Sequence, residues 1–160
     1  MSEPMMATVI TASNRAAAGV YDDTGGPVIV NALAELGFEV RGPVVVPDGQ
    51  PVADAIAEAL GAGALAIITT GGTGLTPTDL TPEMTRPFLD REVPGIAEAI
   101  RVYGAANGVP AAALSRGLSG IAGTALIVNL PGSKGGVKDG LAVVVPLLLH
   151  AVQQIAGSDH

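Results

Sequence analysis

The chain has 160 residues, enough for one compact domain that buries roughly two-thirds of its extended-chain surface on folding. Hydrophobic residues make up 48% of it and aromatic residues 2%, so the core must be built from Ala, Val, Leu and Ile, which suits helices laid closely on a parallel sheet. Cysteine is absent, which excludes disulfides, thiolate nucleophiles and cysteine metal sites, and a net charge of −7 without any Lys/Arg cluster argues against a nucleic-acid partner.

Met6 to Ala12 is a short apolar run ending at Ser13-Asn14-Arg15, as a buried first strand would. After a loop rich in Gly and Asp, Pro27 can occupy a first helical turn, and Val30, Leu33, Ala34 and Leu36 follow at helical spacing until Gly37. Phe38 to Val46 reads as the next strand, with Pro43 pointing to an edge or irregular position. Pro47-Asp48-Gly49-Gln50 is turn chemistry, and Val52, Ile56 and Leu60 then recur on one helical face until Gly61 and Gly63. Ala64 to Thr70 is a buried strand running into Gly71-Gly72-Thr73-Gly74.

Farther on, Thr81 is the expected N-cap of a helix over Pro82 to Leu89. Ile96, Ile100 and Tyr103 mark a helix after Pro94-Gly95, and Ala111 to Leu114 reads as a short strand ending at Ser115-Arg116. Ala125 to Asn129 is a clear strand, and Val137 to Ile155 a last helix with Leu141, Val144, Leu148, Val152 and Ile155 on one face. Strands alternating with helices predict a three-layer α/β/α fold with a mostly parallel sheet. No linker divides the chain, so a single domain over 1–160 is expected, with its core at about 7–156. MSEPMMATVI lacks a basic leader, and the apolar run Leu141 to Leu149 contains Pro146 and is too short to span a bilayer. A soluble, cytoplasmic protein with no membrane partner is expected.

Ligands of such sheets collect outside the carboxyl ends of the strands, and Ser13, Asp48, the 70–79 loop, Ser115 and the 129–133 loop all follow an expected strand. They should line one pocket. The strongest motif is Thr69-Thr70-Gly71-Gly72-Thr73-Gly74 followed by Thr78-Asp79-Leu80-Thr81-Pro82-Glu83: glycines let backbone N–H groups approach a phosphate, and threonine hydroxyls add donors. It is neither a P-loop nor a G-x-G-x-x-G fingerprint; its bland counterpart is a Gly-rich turn. Asp48 and Asp79 beside anionic oxygens imply a hard divalent cation, Mg²⁺, although each has an ordinary alternative as a turn residue or a helix-dipole partner. Pro131-Gly132-Ser133 can present N–H groups at a helix start, with Lys134 and Lys138 close by, or be a simple connection. His150 lies in the last expected helix and reads as an ordinary surface or packing residue; His160 is terminal.

These segments together resemble the MogA/MoaB family of molybdenum-cofactor biosynthesis proteins, and through it the corresponding domains of gephyrin and the plant molybdenum-insertion protein. The resemblance runs from about Ala7 to Ile155 and is carried by SNRAAAGVYDDTGG (13–26), VPDG (46–49), ITTGGTG (68–74), TDLTPE (78–83), EVPGIAEAIR (92–101), ALSRGLSGI (113–121) and LIVNLPGSKGG (126–136). It implies a molybdopterin-binding, MogA-like fold and a homotrimer that binds molybdopterin, the pterin dithiolene phosphate. It also implies transfer of AMP from Mg-ATP to the pterin's terminal phosphate with release of pyrophosphate, ahead of a molybdenum-insertion enzyme. Carried onto this chain, Asp48 and Asp79 would be the essential acids and the Mg²⁺ ligands, and Gly71, Gly72, Thr73 and Gly74 would cradle phosphate or pterin. Ser13, Thr78, Ser115, Pro131, Gly132 and Ser133 would complete the pocket. The last loop reads PGSKGG where several clear adenylyltransferases read a PGNP-like sequence, so a non-catalytic molybdopterin-binding or carrier protein of the same family is the alternative. For the trimer contact, the Ala-rich, sparsely charged segment Val93 to Leu118 is the candidate, its alternative being an intramolecular core helix followed by a strand.

Overall fold

The structure, a computed structural model, describes residues 3–158; His160 lies outside them. Its elements run β1 (Met6–Ala12), α1 (Asn14–Ala17), α2 (Gly25–Glu35), β2 (Glu39–Val46), α3 (Gln50–Gly61), β3 (Ala66–Thr70), α4 (Thr81–Thr85), β4 (Arg91–Glu92), α5 (Pro94–Ala106), β5 (Ser119–Ala122), β6 (Ala125–Leu130) and α6 (Lys134–Ile155). Short 3₁₀ turns cover Arg86–Phe88 and Pro110–Leu114. The strands form one mixed sheet in the order β2-β1-β3-β6-β5-β4. The first four are parallel, and β5 runs antiparallel to both β6 and β4.

Side chains alternate across the sheet as the pleat requires. Ala7, Val9, Ala66, Ile68, Leu126 and Val128 face α2, α5 and α6, which contribute Ile29, Leu33, Ile96, Ile100, Val144 and Leu148. Ile10, Ile67 and Ile127 face the other way, onto Val52, Ile56 and Ala59 of α3, with Met84 and Phe88 alongside. Two apolar layers therefore enclose strands that are apolar on both faces, giving the expected α/β/α arrangement. By length and composition α6 could cross a membrane, but its Val137, Leu141, Val144, Leu148 and Val152 are buried in the first of these layers.

β2 is an edge strand, and its register against β1 shifts where Thr8–Ile10 faces Arg41–Val44, so Gly42-Pro43 forms the irregularity that Pro43 announces. Three expectations are corrected. Ala111–Leu114 belongs to a 3₁₀ turn, since Pro110 opens a turn and three alanines bring no β-branched surface to pair. Thr81 is not a cap: it lies inside α4, and its hydroxyl donates to the Gly71 carbonyl at 2.9 Å instead of accepting a helix N–H. The helix expected over Pro82–Leu89 stops at Thr85 and tightens into a 3₁₀ turn at Pro87.

The chain leaves β1 toward α2 on one face, whereas beyond β3 it turns to α4 on the other. Loops that diverge in this way open a crevice at the carboxyl ends of neighbouring strands.

Candidate functional site

Two adjoining cavities occupy that crevice. One, of about 370 Å³, is lined by Ser13, Asp48, Gly71, Gly72, Thr78, Asp79 and Gly132, together with Asn14, Tyr21 and Asp23. The second, of about 340 Å³, is lined by Thr73, Gly74, Ser115, Pro131 and Ser133 on its polar side and by Ile100, Val109, Ala111 and Leu114 on its apolar side. Gly72, Asp79 and Gly132 border both. The residues expected to line a single pocket thus gather on one rim but divide between two chambers, because the Gly72–Gly74 backbone runs between them. Ser115 reaches the rim from a turn, not from a strand end.

The shared wall depends on glycine. Gly71 has φ of +90° and Gly72 of +69°, conformations that L side chains rarely adopt. A Cβ on Gly71 would collide with the Ala12 carbonyl, and one on Gly72 would collide with Thr81 Oγ1 and lie 2.9 Å from Asp48 Oδ1. The loop is pinned from below: Gly71 N donates to Leu130 O, Thr81 N to Gly72 O, and Thr70 Oγ1 to Pro131 O. Beneath it Asn129 donates through Nδ2 to Thr69 Oγ1 and Thr85 Oγ1 and accepts from Leu118 N, so its amide is paired in the core. Thr85 in turn donates to Thr81 O.

Both acids face the first chamber. Asp48 follows β2, its backbone N–H held by Asn14 Oδ1 at 2.9 Å. Its Oδ1 is buried and has no hydrogen-bond partner among the described residues. Burial pushes the Asp48 carboxyl above its ordinary range, and the negative charge of Asp79 pushes the same way, against a smaller opposing contribution from the Asn14 backbone. Asp79 accepts through Oδ2 from the Thr76 N–H and hydroxyl at 3.0 and 2.8 Å. A partnerless buried oxygen beside a second carboxylate fits a hard divalent cation, which would satisfy the one and screen the other.

Other residues named from the sequence hold the loops. Ser13 Oγ caps α1 by accepting from Ala16 N, and lies 2.9 Å from the Tyr21 hydroxyl. Ser133 caps α6 by accepting from Gly136 N, and the Ser115 hydroxyl accepts from Gly117 N at 3.4 Å. His150 lies 2.8 Å from the Gln154 amide on the exposed side of α6, away from both chambers.

Sequence reasoning passed over several residues of the rim, among them Asn14, whose Oδ1 holds the Asp48 N–H. Asp23 anchors the loop before α2 by accepting from Thr11 Oγ1 and Gly26 N, and Tyr21 stands beside Ser13. Arg116 donates to Gly74 O, Asp79 O and Glu83 Oε2, and its own N–H bonds Thr73 O, so it clasps the glycine loop to the Asp79 loop. Asp139 of α6 lies on the wall of the second chamber. Tyr21, Asp23 and Arg116 stood inside matching segments of the sequence, where a lone aromatic or a lone cation in an otherwise uncharged stretch was the available signal. For Asp139 the sequence offered none, because only packing aims that turn of α6.

The family model described as "Probable molybdopterin binding domain" matches residues 8–150. A molybdopterin adenylyltransferase of Pyrococcus furiosus is 34% identical over 149 residues, covering 91% of this chain and 88% of that protein. A molybdenum cofactor biosynthesis bifunctional protein of Synechococcus elongatus is 38% identical over 157 residues, 98% of this chain and 49% of the relative, so the chain spans about half the length of that relative. The solved structure of the molybdopterin biosynthesis Mog protein from Mycobacterium ulcerans superposes with a TM-score of 0.90 at 51% identity, covering 94% of this chain and 99% of that one. With a match extending over nearly all of the sheet and both chambers, this chain belongs to the molybdopterin-binding domain family of molybdenum cofactor biosynthesis.

Proposed function

We propose that the chain, acting as a single domain, adenylylates molybdopterin. The observation that carries this is the junction of the two chambers at Gly72, Asp79 and Gly132, with Asp48 and Asp79 facing the first. A transfer between two phosphorylated molecules needs two binding spaces that meet where the phosphates react. A terminal phosphate oxygen of the pterin would attack the α-phosphorus of ATP, forming the new P–O bond as the bond to the β-phosphate bridging oxygen breaks and pyrophosphate leaves. No covalent enzyme intermediate is required, so the protein contributes position and charge balance.

Gly71 to Gly74 would approach the phosphates with backbone N–H groups, unobstructed by Cβ atoms. Asp48 and Asp79 would hold Mg²⁺. When bound, Mg²⁺ would neutralise charge on the α-phosphate and the leaving pyrophosphate. Thr76 would keep one Asp79 oxygen oriented, and Arg116 would hold the Asp79 backbone. Thr78 would border the nucleotide side. Ser13, Ser115, Pro131, Gly132 and Ser133 would shape the walls, the two caps Ser13 and Ser133 by fixing their loops. We further propose a cytoplasmic homotrimer that passes its product to a molybdenum-insertion enzyme.

Purified molybdopterin and Mg-ATP should yield adenylylated pterin and pyrophosphate, and Asp48→Asn or Asp79→Asn should each lower that rate by about 10²–10³-fold. Turnover indifferent to both changes overturns the role of the acids. Pterin binding without any turnover selects the carrier alternative.

A further inference from the structure

Asp139 is the one acid on the wall of the second chamber that the proposed phosphate chemistry does not use. It is half-buried and makes no hydrogen bond or ion pair among the described residues. The wall around it is apolar, built by Ile100, Val109, Ala112 and Leu114. It owes its shape to a close approach: a Cβ on Gly104 would lie 2.7 Å from Ala112 Cβ and 3.9 Å from Asp139 Oδ2. Gly104 is buried at this point of α5, so α5 and the 3₁₀ turn meet beside the carboxylate. Arg101 fixes the far side of the turn by donating to Ser115 O and Gly117 O. An apolar slot with one unengaged carboxylate suits a flat heterocycle that brings adjacent N–H donors to it.

Resting on the adenylylation reading, we propose that Asp139 reads the 2-amino-4-oxo edge of the pterin and so determines which heterocycle enters the second chamber. That edge carries neighbouring donors at N3 and at the 2-amino group, and a carboxylate accepts both at once. Adenine brings an exocyclic donor beside a ring acceptor, which leaves one carboxylate oxygen facing a lone pair. The carboxylate therefore favours pterin over adenine in this chamber and leaves ATP to the first, more polar one. The pterin's phosphate would then extend back to the junction at Gly72 and Asp79.

The test uses the full chain with two fluorescent probes, free pterin and lumazine, which carries an oxygen in place of the 2-amino group. Wild-type protein should bind pterin at least about tenfold more tightly than lumazine, the worth of one charge-assisted hydrogen bond. Asp139→Asn should erase that preference and raise KM for molybdopterin by about tenfold or more, with KM for ATP within about twofold of wild type. Thermal melting checks that the variant is folded, and Asp139→Ala provides a second variant of smaller size. An unchanged preference for pterin, or a loss that falls on ATP instead, overturns the assignment. Wild-type turnover with no preference overturns Asp139 alone; an Asp139-dependent preference without turnover supports Asp139 and overturns adenylylation.

Discussion

At the scale of single residues, Asp48 carries a conflict that the fold does not relieve. Its Oδ1 is buried without a partner, and both burial and Asp79 hold its carboxyl above the ordinary value of 3.8. A carboxyl with a raised native pKa binds its proton more tightly when folded. Its contribution therefore favours the fold fully below pH 3.8 and is lost as pH rises through the raised value. At neutral pH the ionised group burdens the native state, as residues kept for binding and catalysis commonly do. Asp48→Asn should then melt about 1–3 °C above wild type at pH 7, with the difference shrinking toward acid pH, while product formation collapses. Addition of Mg²⁺ should raise the melting point of wild type and leave that of the variant nearly unmoved. A variant that melts lower at neutral pH yet responds fully to Mg²⁺ would falsify both the conflict and the ligand role.

At the scale of elements, the least conspicuous connection is the clasp made by Arg116 between the glycine loop and the segment leading into α4. Its guanidinium spans Gly74 O, Asp79 O and Glu83 Oε2 at 2.9, 2.7 and 2.7 Å. Hydrogen bonding from Arg116 holds the Glu83 carboxyl below its ordinary range, so this ion pair supports the fold above pH 4.5 and is lost as pH falls through the lowered value. Because Glu83 and Arg116 are solvent-exposed, the clasp matters more for position than for stability. Arg116→Lys keeps the charge and loses the fork, and should lower product formation by about tenfold to a hundredfold with little change in the urea midpoint. Parallel losses of activity and stability would make Arg116 an ordinary structural residue. This connection was not legible in advance, and the reason is physical. β1, β3 and β6 announce themselves as continuous apolar runs with abrupt polar ends, so the rim at Ser13, Gly71 and Gly132 could be inferred from those strand ends alone. β5 consists of Ser119-Gly120-Ile121-Ala122, with a single β-branched residue, and is a strand because β6 and β4 offer it partners. Pro110–Leu114 presents the reverse case, an apolar stretch with nothing to pair against. The apolar wall of the second chamber follows from where that turn and α5 meet, which no local pattern encodes.

At the scale of the whole molecule, four exposed apolar side chains fall where the trimer contact was expected, while Val20, Tyr21, Val28, Val44, Leu75, Leu80 and Leu147 are exposed elsewhere. Within Val93 to Leu118, Val102 is 68% exposed, Leu114 55%, Val109 42% and Tyr103 39%. The intramolecular alternative accounts for Ile96 and Ile100, which are buried under the sheet, but leaves these four residues uncovered. Contiguous exposed apolar side chains mark an association surface more often than isolated ones do. Val109 and Leu114 also line the second chamber, so a neighbouring copy seated on this surface would border the chamber where we place the pterin. Closed cyclic association would cover all three copies of the surface equivalently. Light scattering at micromolar concentration should accordingly give about three times the 15.8 kDa chain mass. Val102→Glu, which places a charge on the most exposed of the four and touches neither chamber, should shift that mass toward the monomer and weaken molybdopterin binding more than ATP binding. A wild-type protein that stays monomeric at every concentration rules out the trimer. A Val102→Glu protein that remains trimeric moves the contact elsewhere on the surface.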